Sequence, residues 1–308
     1  MIVVTFGCLP LVLLAQRVEG NYNAETAAAA EESIALNFVQ SKVLPRFAEA
    51  PMLVGNQKKS KPWHLHNYVG FCHHKAGVYL LSELWVLSFM ALGAKKSDMG
   101  MWMQPCYSPQ ACYSPKAPIQ FWVDMYSAEK AQLTREAAGK RGLRVVGIVR
   151  DPISMIASAY CYHHRGKEMN NWFFFPARLL LLLGPKEGLK FVAERMVPMM
   201  ENLTSVFEHQ SNDTFRLDYE KVVGSSETFD QQMNQMIDFL FGDQISAAER
   251  SEVLNATQWA DLHRHPRADD HGNDEACEEE VRQYVPTLPP DLLSQYRSYQ
   301  QRLGYATT

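Results

Sequence analysis

The feature that most constrains the fold of this chain is the short apolar run Arg144-Val-Val-Gly-Ile-Val149, which is bounded by basic residues. A continuous run of branched aliphatic residues suits a strand that is buried on both faces of a parallel sheet. Pro152 follows at a position where the first turn of a helix tolerates proline, and the sequence predicts a helix from there to about His164. The run therefore indicates one unit of a larger α/β fold.

Three other segments have the composition of strands, and each is followed by a segment with the composition of a helix. The strands are predicted at Leu65–Cys72, Ile119–Met125 and Phe215–Tyr219, and the helices at Val78–Leu92, from after Met125 to about Arg141, and at Thr228–Phe241. Further helices are predicted near Glu25–Leu44, Asn171–Leu183 and Lys186–His209, whereas Ala94–Pro118 has the Gly and Pro content of a long loop.

Strands that alternate with helices predict an α/β fold with a P-loop-like, doubly wound, mostly parallel sheet flanked by helices. In this architecture ligands bind beyond the carboxyl ends of the strands. Functional residues are therefore expected just after Cys72, Met125, Val149 and Tyr219.

The composition is that of a globular chain with a core, because 46% of its 308 residues are hydrophobic and 21% are charged. The length allows one large domain or two small ones. The net charge of −4 gives no support for a nucleic-acid partner. A mildly acidic chain that binds an anion must concentrate its positive charge locally, at isolated Lys and Arg residues near helix starts.

The N-terminal residues Met1–Ala15 form an apolar run without a charged side chain. The run is short for a membrane span, which needs about 20 residues, and fits the hydrophobic region of a signal peptide better. A buried first strand is the alternative. We therefore expect a signal peptide or signal anchor at 1–20, a helical or loose segment at 21–61 and a single domain at 62–308.

Three Asn-x-Thr triplets, beginning at Asn202, Asn212 and Asn255, are acceptors for N-glycosylation if the chain enters the secretory pathway. Of the six cysteines, Cys106 and Cys112 lie close together in a Pro-rich stretch and could close a small disulfide. No Cys-x-x-Cys pair or Cys/His spacing indicates zinc.

The first candidate for chemistry is His73-His-Lys75-Ala76-Gly77-Val78-Tyr79, between a predicted strand and a predicted helix. A small Gly-containing turn lets main-chain N–H groups at a helix N-terminus point at a phosphate, and Lys75 would add a positive charge. The alternative is a tight turn with an exposed lysine. The Walker pattern, which places a hydroxyl to hold magnesium, is absent, and this argues against ATP or GTP hydrolysis.

The second candidate is Arg150-Asp151-Pro152, with Ser158 about two turns along the following helix. The planar fork of Arg suits a phosphate, and Ser adds a neutral donor to the same group. Alternatively, Arg150 pairs with Asp151 or a neighbouring carboxylate and Ser158 is a small packing residue.

These two motifs, in this order, resemble those of the sulfotransferases that use 3′-phosphoadenosine 5′-phosphosulfate (PAPS). Strand–Lys75-Ala-Gly-Val-Tyr79–helix is similar to the family's 5′-phosphosulfate loop, and Arg150 with Ser158 has the spacing of its 3′-phosphate motif. Phe215-Arg-Leu-Asp-Tyr-Glu220 and the helix that ends near Gly242 are similar to a later strand and helix, so the likeness covers about Tyr68–Gly242.

The resemblance implies that 62–308 is a sulfotransferase domain with PAPS as co-substrate and no metal. It implies that Lys75 is catalytic, since it binds the 5′-phosphosulfate and steadies the departing phosphate oxygen. It also implies that Ala76, Gly77, Val78 and Tyr79 line that site, and that Arg150 and Ser158 bind the 3′-phosphate. Many members have Thr or Ser where this chain has Val78 and Tyr79, which removes a hydroxyl contact but leaves the N–H of Val78.

The family also has a basic loop near the 3′-phosphate, for which His263-Arg264-His-Pro-Arg267 is the nearest candidate, with Arg267 as the ligand. The alternative is a surface loop beside the acidic run Asp269–Glu280. Sulfuryl transfer further needs a base for the acceptor proton. Asp124, at a strand end, is the first candidate.

Glu83 and Asp98 are the alternative bases, and His163 and His164 are interpreted as surface residues at a helix end. The apolar block Trp172–Pro176 with Leu179–Leu183 predicts a core helix, or else a cap over an acceptor cleft or a lipid contact.

The sequence thus predicts an enzyme that transfers a sulfuryl group from PAPS to an acceptor hydroxyl or amine by in-line attack. The acceptor would be a glycan, tyrosine, lipid or small alcohol, with carbohydrate preferred, in the Golgi lumen or membrane or outside the cell. Membrane association would come through the N-terminal segment. An atypical phosphotransferase and a non-catalytic protein on the same fold are the alternatives.

Overall fold

A five-stranded sheet in the order β2-β3-β1-β4-β5, with every pair of neighbours parallel, organises the computed structural model. The model describes residues 60–102, 117–166, 177–208, 211–266 and 274–307. The strands are β1 (Asn67–Cys72), β2 (Met99–Trp102), β3 (Ile119–Val123), β4 (Leu143–Val149) and β5 (Thr214–Asp218). The predicted α/β fold with a parallel sheet flanked by helices is therefore confirmed.

Helices follow most of the strands and continue to the C-terminus. They are α1 (Pro62–Leu65), α2 (Val78–Ala91), α3 (Ala128–Ala138), α4 (Pro152–His164), α5 (Ala177–Leu180), α6 (Pro185–Phe207), α7 (Tyr219–Val222), α8 (Ser226–Phe241), α9 (Ala247–Thr257), α10 (Glu275–Arg282) and α11 (Pro290–Arg302). Short 3-10 helices span Lys96–Asp98, Gly139–Arg141, Gly242–Gln244, Gln258–Ala260 and Val285–Thr287.

Both faces of the sheet are covered, as two successive residues of β1 illustrate. Gly70 faces α2, since a Cβ built there would lie 2.8 Å from the ring of Trp85. Phe71 points to the other face and stacks on Phe207 of α6, with ring centroids 5.6 Å apart. Burial on both sides explains why these strands read as continuous apolar runs in the sequence.

The strand order places the switch point of the fold between β1 and β4. From β1 the chain builds one side of the sheet with β2 and β3, then crosses over to add β4 and β5 on the other side. β1 and β4 pair in register from Asn67↔Leu143 to Phe71↔Gly147, so the segments after Cys72 and Val149 emerge side by side. A switch point of this kind opens a crevice in which ligands bind.

Two predictions about local structure are wrong. Strand β2 lies inside Ala94–Pro118, which we predicted as a loop, because a four-residue edge strand that contains Gly100 has no clear alternation to reveal it. Within the described part of Asn171–Leu183, only Ala177–Leu180 is helical, and Leu182 is 82% exposed. Leu180 is buried, whereas Leu179 and Leu181 are exposed as well, so the described part does not form a core helix.

The C-terminal third adds features that the sequence did not predict. Helix α10 occupies the end of the acidic run, and a disulfide joins its Cys277 to Cys161 of α4 across 116 residues of sequence. Cys106 and Cys112, Glu25–Leu44 and the segment 1–20 lie outside the described residues. Within the described ranges, no helix is long and apolar enough to cross a membrane.

Candidate functional site

The loop between β1 and α2 turns sharply at two residues in the left-handed region. Lys75 has φ 63° and Gly77 has φ 107°, and the N–H of Ala76 donates to the carbonyl of His73 at 3.0 Å. A Cβ on Gly77 would lie 2.9 Å from the ring of Tyr219, so only glycine fits here. Because of this turn, α2 begins at Val78 with its first N–H groups at the carboxyl edge of the sheet.

Asp124, the predicted base, holds this loop from the neighbouring strand. Its carboxylate accepts a hydrogen bond from the main-chain N–H of His74, and its own N–H donates to the carbonyl of Cys72 at 2.9 Å. Asp124 also has φ 63°, which is rare for a residue other than glycine. The carboxylate therefore lies beside the Lys75 loop, and it orders that loop whatever else it does.

Arg150 follows β4 and reaches the same loop. Its Nη1 donates to the main-chain carbonyl of Lys75 at 3.2 Å, and its guanidinium lies over the ring of Tyr219, 4.7 Å from the centroid. The side chain is only 6% exposed. The switch point thus brings the two cationic residues of the two sequence motifs into direct contact.

A carboxylate from the far end of the chain is the ionic partner of Arg150. The Nη2 atom donates to Oε2 of Glu278 in α10 at 3.1 Å, and the Glu278 side chain is 8% exposed. Asp151 instead caps α4 by accepting from the N–H of Ser154 at 2.8 Å. A carboxylate therefore already lies against the guanidinium of Arg150.

Ser158, the third ligand that the sequence predicted, is buried in the middle of α4. Residues three and four apart share a helix face, which places Ser158 beside Cys161 and Tyr162. Cys161 is bonded to Cys277, the neighbour of Glu278, and the ring of Tyr162 lies 3.7 Å from Nζ of Lys75. Ser158 itself is 3% exposed. Ser158 thus lies one turn from Tyr162, which contacts Lys75, and from Cys161, which is bonded to the neighbour of Glu278.

A pair of buried histidines joins the loop to α4. Nε2 of His74 lies 2.9 Å from Nε2 of His163, and His163 is 1% exposed, so its interpretation as a surface residue is wrong. Burial, together with the neighbouring His163 and Lys75, lowers the pKa of His74 well below its ordinary value. His74 is therefore neutral at pH 7, and the pair shares a hydrogen bond between one donor and one acceptor nitrogen.

Glu83, Asp98 and Arg264 are further candidates that the structure describes. Glu83 is buried in α2, and Asp98 accepts from the N–H of Lys95 at 2.8 Å. Arg264 is held by Asp230, with Nη2 to Oδ2 at 2.6 Å. Arg267 lies outside the described residues. Among the residues that the structure describes, no group of three or more His, Cys, Asp or Glu side chains could hold a metal ion.

Sequence reasoning missed two residues that contact Arg150, namely Tyr219 and Glu278. Tyr219 could have been predicted, since it directly follows β5 and residues after strand ends were expected to be functional. Glu278 could not have been predicted, because nothing in the acidic run distinguishes it from Glu279 and Glu280, which are exposed.

No family model matches the chain, and no curated protein matches it. Among solved structures the chain is similar to mouse sulfotransferase SULT7A1 complexed with PAP, with a TM-score of 0.41 and 12% sequence identity, over 77% of this chain and 84% of that chain.

Proposed function

We propose that the chain is a sulfotransferase that uses PAPS as its co-substrate and needs no metal ion. The observation that carries the proposal is the contact between Arg150 and the Lys75 loop at the switch point of a parallel sheet. It joins the two motifs whose order and spacing resemble the PAPS-dependent family. One nucleotide with two anionic ends would then meet a cation at each end.

Each residue has a role that its position supports. The first N–H groups of α2 and the ammonium of Lys75 bind the 5′-phosphosulfate, since a helix N-terminus favours an anion. Arg150 and Ser158 bind the 3′-phosphate, and Tyr219 keeps the guanidinium in place from behind. PAPS supplies the sulfuryl group, and Asp124 accepts the proton of the acceptor hydroxyl or amine.

The test is thermal unfolding in the presence of 3′-phosphoadenosine 5′-phosphate (PAP), with and without magnesium and with and without a dithiol reductant. Saturating PAP should raise the midpoint by about 5 to 10 °C without magnesium, whereas ATP, which lacks the 3′-phosphate, should raise it less. Lys75→Ala and Arg150→Ala should each remove the rise. If both variants are stabilised like the parent, the site is assigned wrongly.

A non-catalytic protein on this fold is the second candidate, and one observation favours it. Glu278 occupies the guanidinium of Arg150, which a nucleotide phosphate would otherwise need. Stabilisation by PAP without release of PAP from PAPS, on a panel of carbohydrate, tyrosine, lipid and small-alcohol acceptors, would identify this candidate.

The proposal extends to the secretory pathway, with a carbohydrate as the preferred acceptor. The Cys161–Cys277 disulfide is typical of oxidising compartments. Asn212 is exposed in a turn, as a glycosylation acceptor should be, whereas Asn202 is half-buried within α6. Asn255, in α9, is exposed as well. In cells, glycosidase treatment should reduce the mass of the chain, and the Asn212→Gln/Asn255→Gln double variant, unlike Asn202→Gln, should remove that difference.

A further inference from the structure

We infer that helix α10 is a redox-released plug of the anion site, in which Glu278 blocks Arg150 and the Cys161–Cys277 disulfide holds the block in place. The inference rests on the proposed function and adds a form of control to the same site. Three features carry it: the ion pair, the position of the disulfide, and the incomplete hydrogen bonding of the carboxylate.

The ion pair removes the group that an anionic ligand needs. Arg150 has one nitrogen on the carbonyl of Lys75 and another on Oε2 of Glu278, at 3.2 and 3.1 Å. A second anion at this face of the guanidinium would lie against the Glu278 carboxylate and be repelled by it. Glu278 must therefore leave, with the helix that carries it, before a phosphate can bind Arg150.

The disulfide is placed to prevent that movement. Cys277 directly precedes Glu278 and is bonded to Cys161, which is 1% exposed in α4. The other ties between α10 and its surroundings are the packing of Val281, which is fully buried, and polar contacts that are partly exposed: Arg282 donates to Oγ of Ser154 at 3.1 Å, and Asp274, which precedes the helix, lies 3.5 Å from Arg165. Exposed polar contacts contribute little, and the packing of Val281 is not covalent, so the disulfide is the strongest restraint on α10.

The Glu278 carboxylate is also incompletely hydrogen-bonded in the blocked state. Oε1 of Glu278 is buried and has no hydrogen-bond partner among the described residues. A buried carboxylate with one unsatisfied oxygen loses more in desolvation than a fully bonded one. Release of α10 would hydrate this oxygen, and a phosphate would replace the carboxylate on Arg150. Both changes favour the released arrangement once the disulfide is broken.

The chemistry of release is thiol–disulfide exchange with a dithiol reductant. A thiolate of the reductant attacks one sulfur of the Cys161–Cys277 bond, and the other cysteine leaves as a thiolate that takes up a proton. The second thiol of the reductant then closes its own disulfide and frees the first cysteine. Two electrons pass from the dithiol to the protein, which ends with two thiols.

The test measures the affinity of PAP by calorimetry on oxidised and dithiol-reduced full-length protein. Reduction should tighten PAP binding at least tenfold. This is about the factor by which the apparent affinity for PAP falls when α10 blocks the site in roughly ten of every eleven molecules. Glu278→Gln should tighten binding of the oxidised protein and remove most of its redox dependence. Glu279→Gln, a neighbouring exposed change, should behave like the parent.

A reductant also acts on the cysteines outside this pair. The Cys161→Ser/Cys277→Ser double variant therefore isolates the effect of breaking the Cys161–Cys277 bond. Without reductant, this variant should bind PAP like the reduced parent, and hydrogen exchange should be faster in α10 than in α11. Equal affinities of oxidised and reduced parent, with PAP bound in both states, would overturn the plug and leave the proposed function standing. Absence of PAP binding in every form, reduced Glu278→Gln included, would overturn both.

Discussion

The guanidinium of Arg150 donates a hydrogen bond to the main-chain carbonyl of Lys75, at 3.2 Å, although the two residues are 75 positions apart. The contact crosses from the end of β4 to the loop after β1, the two strands between which the chain changes direction in the sheet. A side chain that binds the backbone of the opposite loop fixes the distance between the two segments that we propose as anion-binding. The site is thus held by the same residue that would bind ligand.

Replacing Arg150 by Lys should separate charge from geometry. Lysine keeps the charge but cannot donate at once to the Lys75 carbonyl and to a second acceptor in the fixed fork of a guanidinium. We expect the affinity of the reduced protein for PAP to fall about 10- to 100-fold, which is the size of one lost charged hydrogen bond. Calorimetric titration measures this.

Arg144→Lys is the matched control, because Arg144 lies at the opposite end of β4 and contacts the ring of Phe239. It should bind PAP like the parent. A loss of the same size in both variants would mean that the effect comes from the stability of the strand.

Gly77→Ala should damage both the loop and the fold. A Cβ at Gly77 would meet the Tyr219 ring at 2.9 Å, in addition to the strain of φ 107°. We expect the free energy of unfolding to fall by about 2 to 4 kcal/mol and PAP binding to weaken, because the N-terminus of α2 and Tyr219 would both shift. Urea unfolding and titration with PAP check the two effects.

Gly304→Ala supplies the comparison, since Gly304 also has positive φ but nothing lies within 4 Å of a Cβ built there. This substitution should lower the free energy of unfolding by about 1 kcal/mol and leave PAP binding unchanged. Equal costs for the two substitutions would show that backbone strain alone, without the Tyr219 contact, explains Gly77.

How far the sequence predicts this molecule depends on whether a feature is local or distant. β4, α4 and the Lys75 loop follow from apolar runs, a proline and a glycine turn, and each of these signals lies within or beside the segment that it predicts. The contact of Arg150 with Glu278 and the disulfide that adjoins it join residues more than 100 positions apart, and no local pattern specifies such a pairing. Edge strand β2 was missed because it is short and has no alternation.

Acidification should destabilise the protein through His73, which is fully buried beside Phe71. Burial lowers the pKa of His73 from 6.5 to about 3. A group whose folded pKa lies below its unfolded pKa contributes stability that is present above the unfolded pKa and is lost as the pH falls toward the folded one. Between about pH 6.5 and about pH 4.5, His73 alone should account for a loss of about 2 to 3 kcal/mol.

Urea unfolding at intervals across this range should show a steeper fall for the parent than for His73→Phe, which keeps a ring against Phe71. Other groups with lowered pKa, His74 among them, titrate equally in both proteins, so the difference isolates His73. Parallel pH profiles would mean that His73 is not buried as a neutral ring.

Asp124→Asn distinguishes the two roles that the position of Asp124 allows. The amide oxygen of Asn can still accept the N–H of His74, so the loop should hold its shape and the affinity for PAP should stay within about threefold of the parent. An amide cannot take up the acceptor proton, so kcat for PAP release from PAPS, with an acceptor that the parent turns over, should fall about 100-fold or more. Asp124→Ala, which removes both functions, should lose affinity as well as turnover. Full turnover by Asp124→Asn would assign the carboxylate to the loop alone and move the search for the base to Glu83, which is buried in α2.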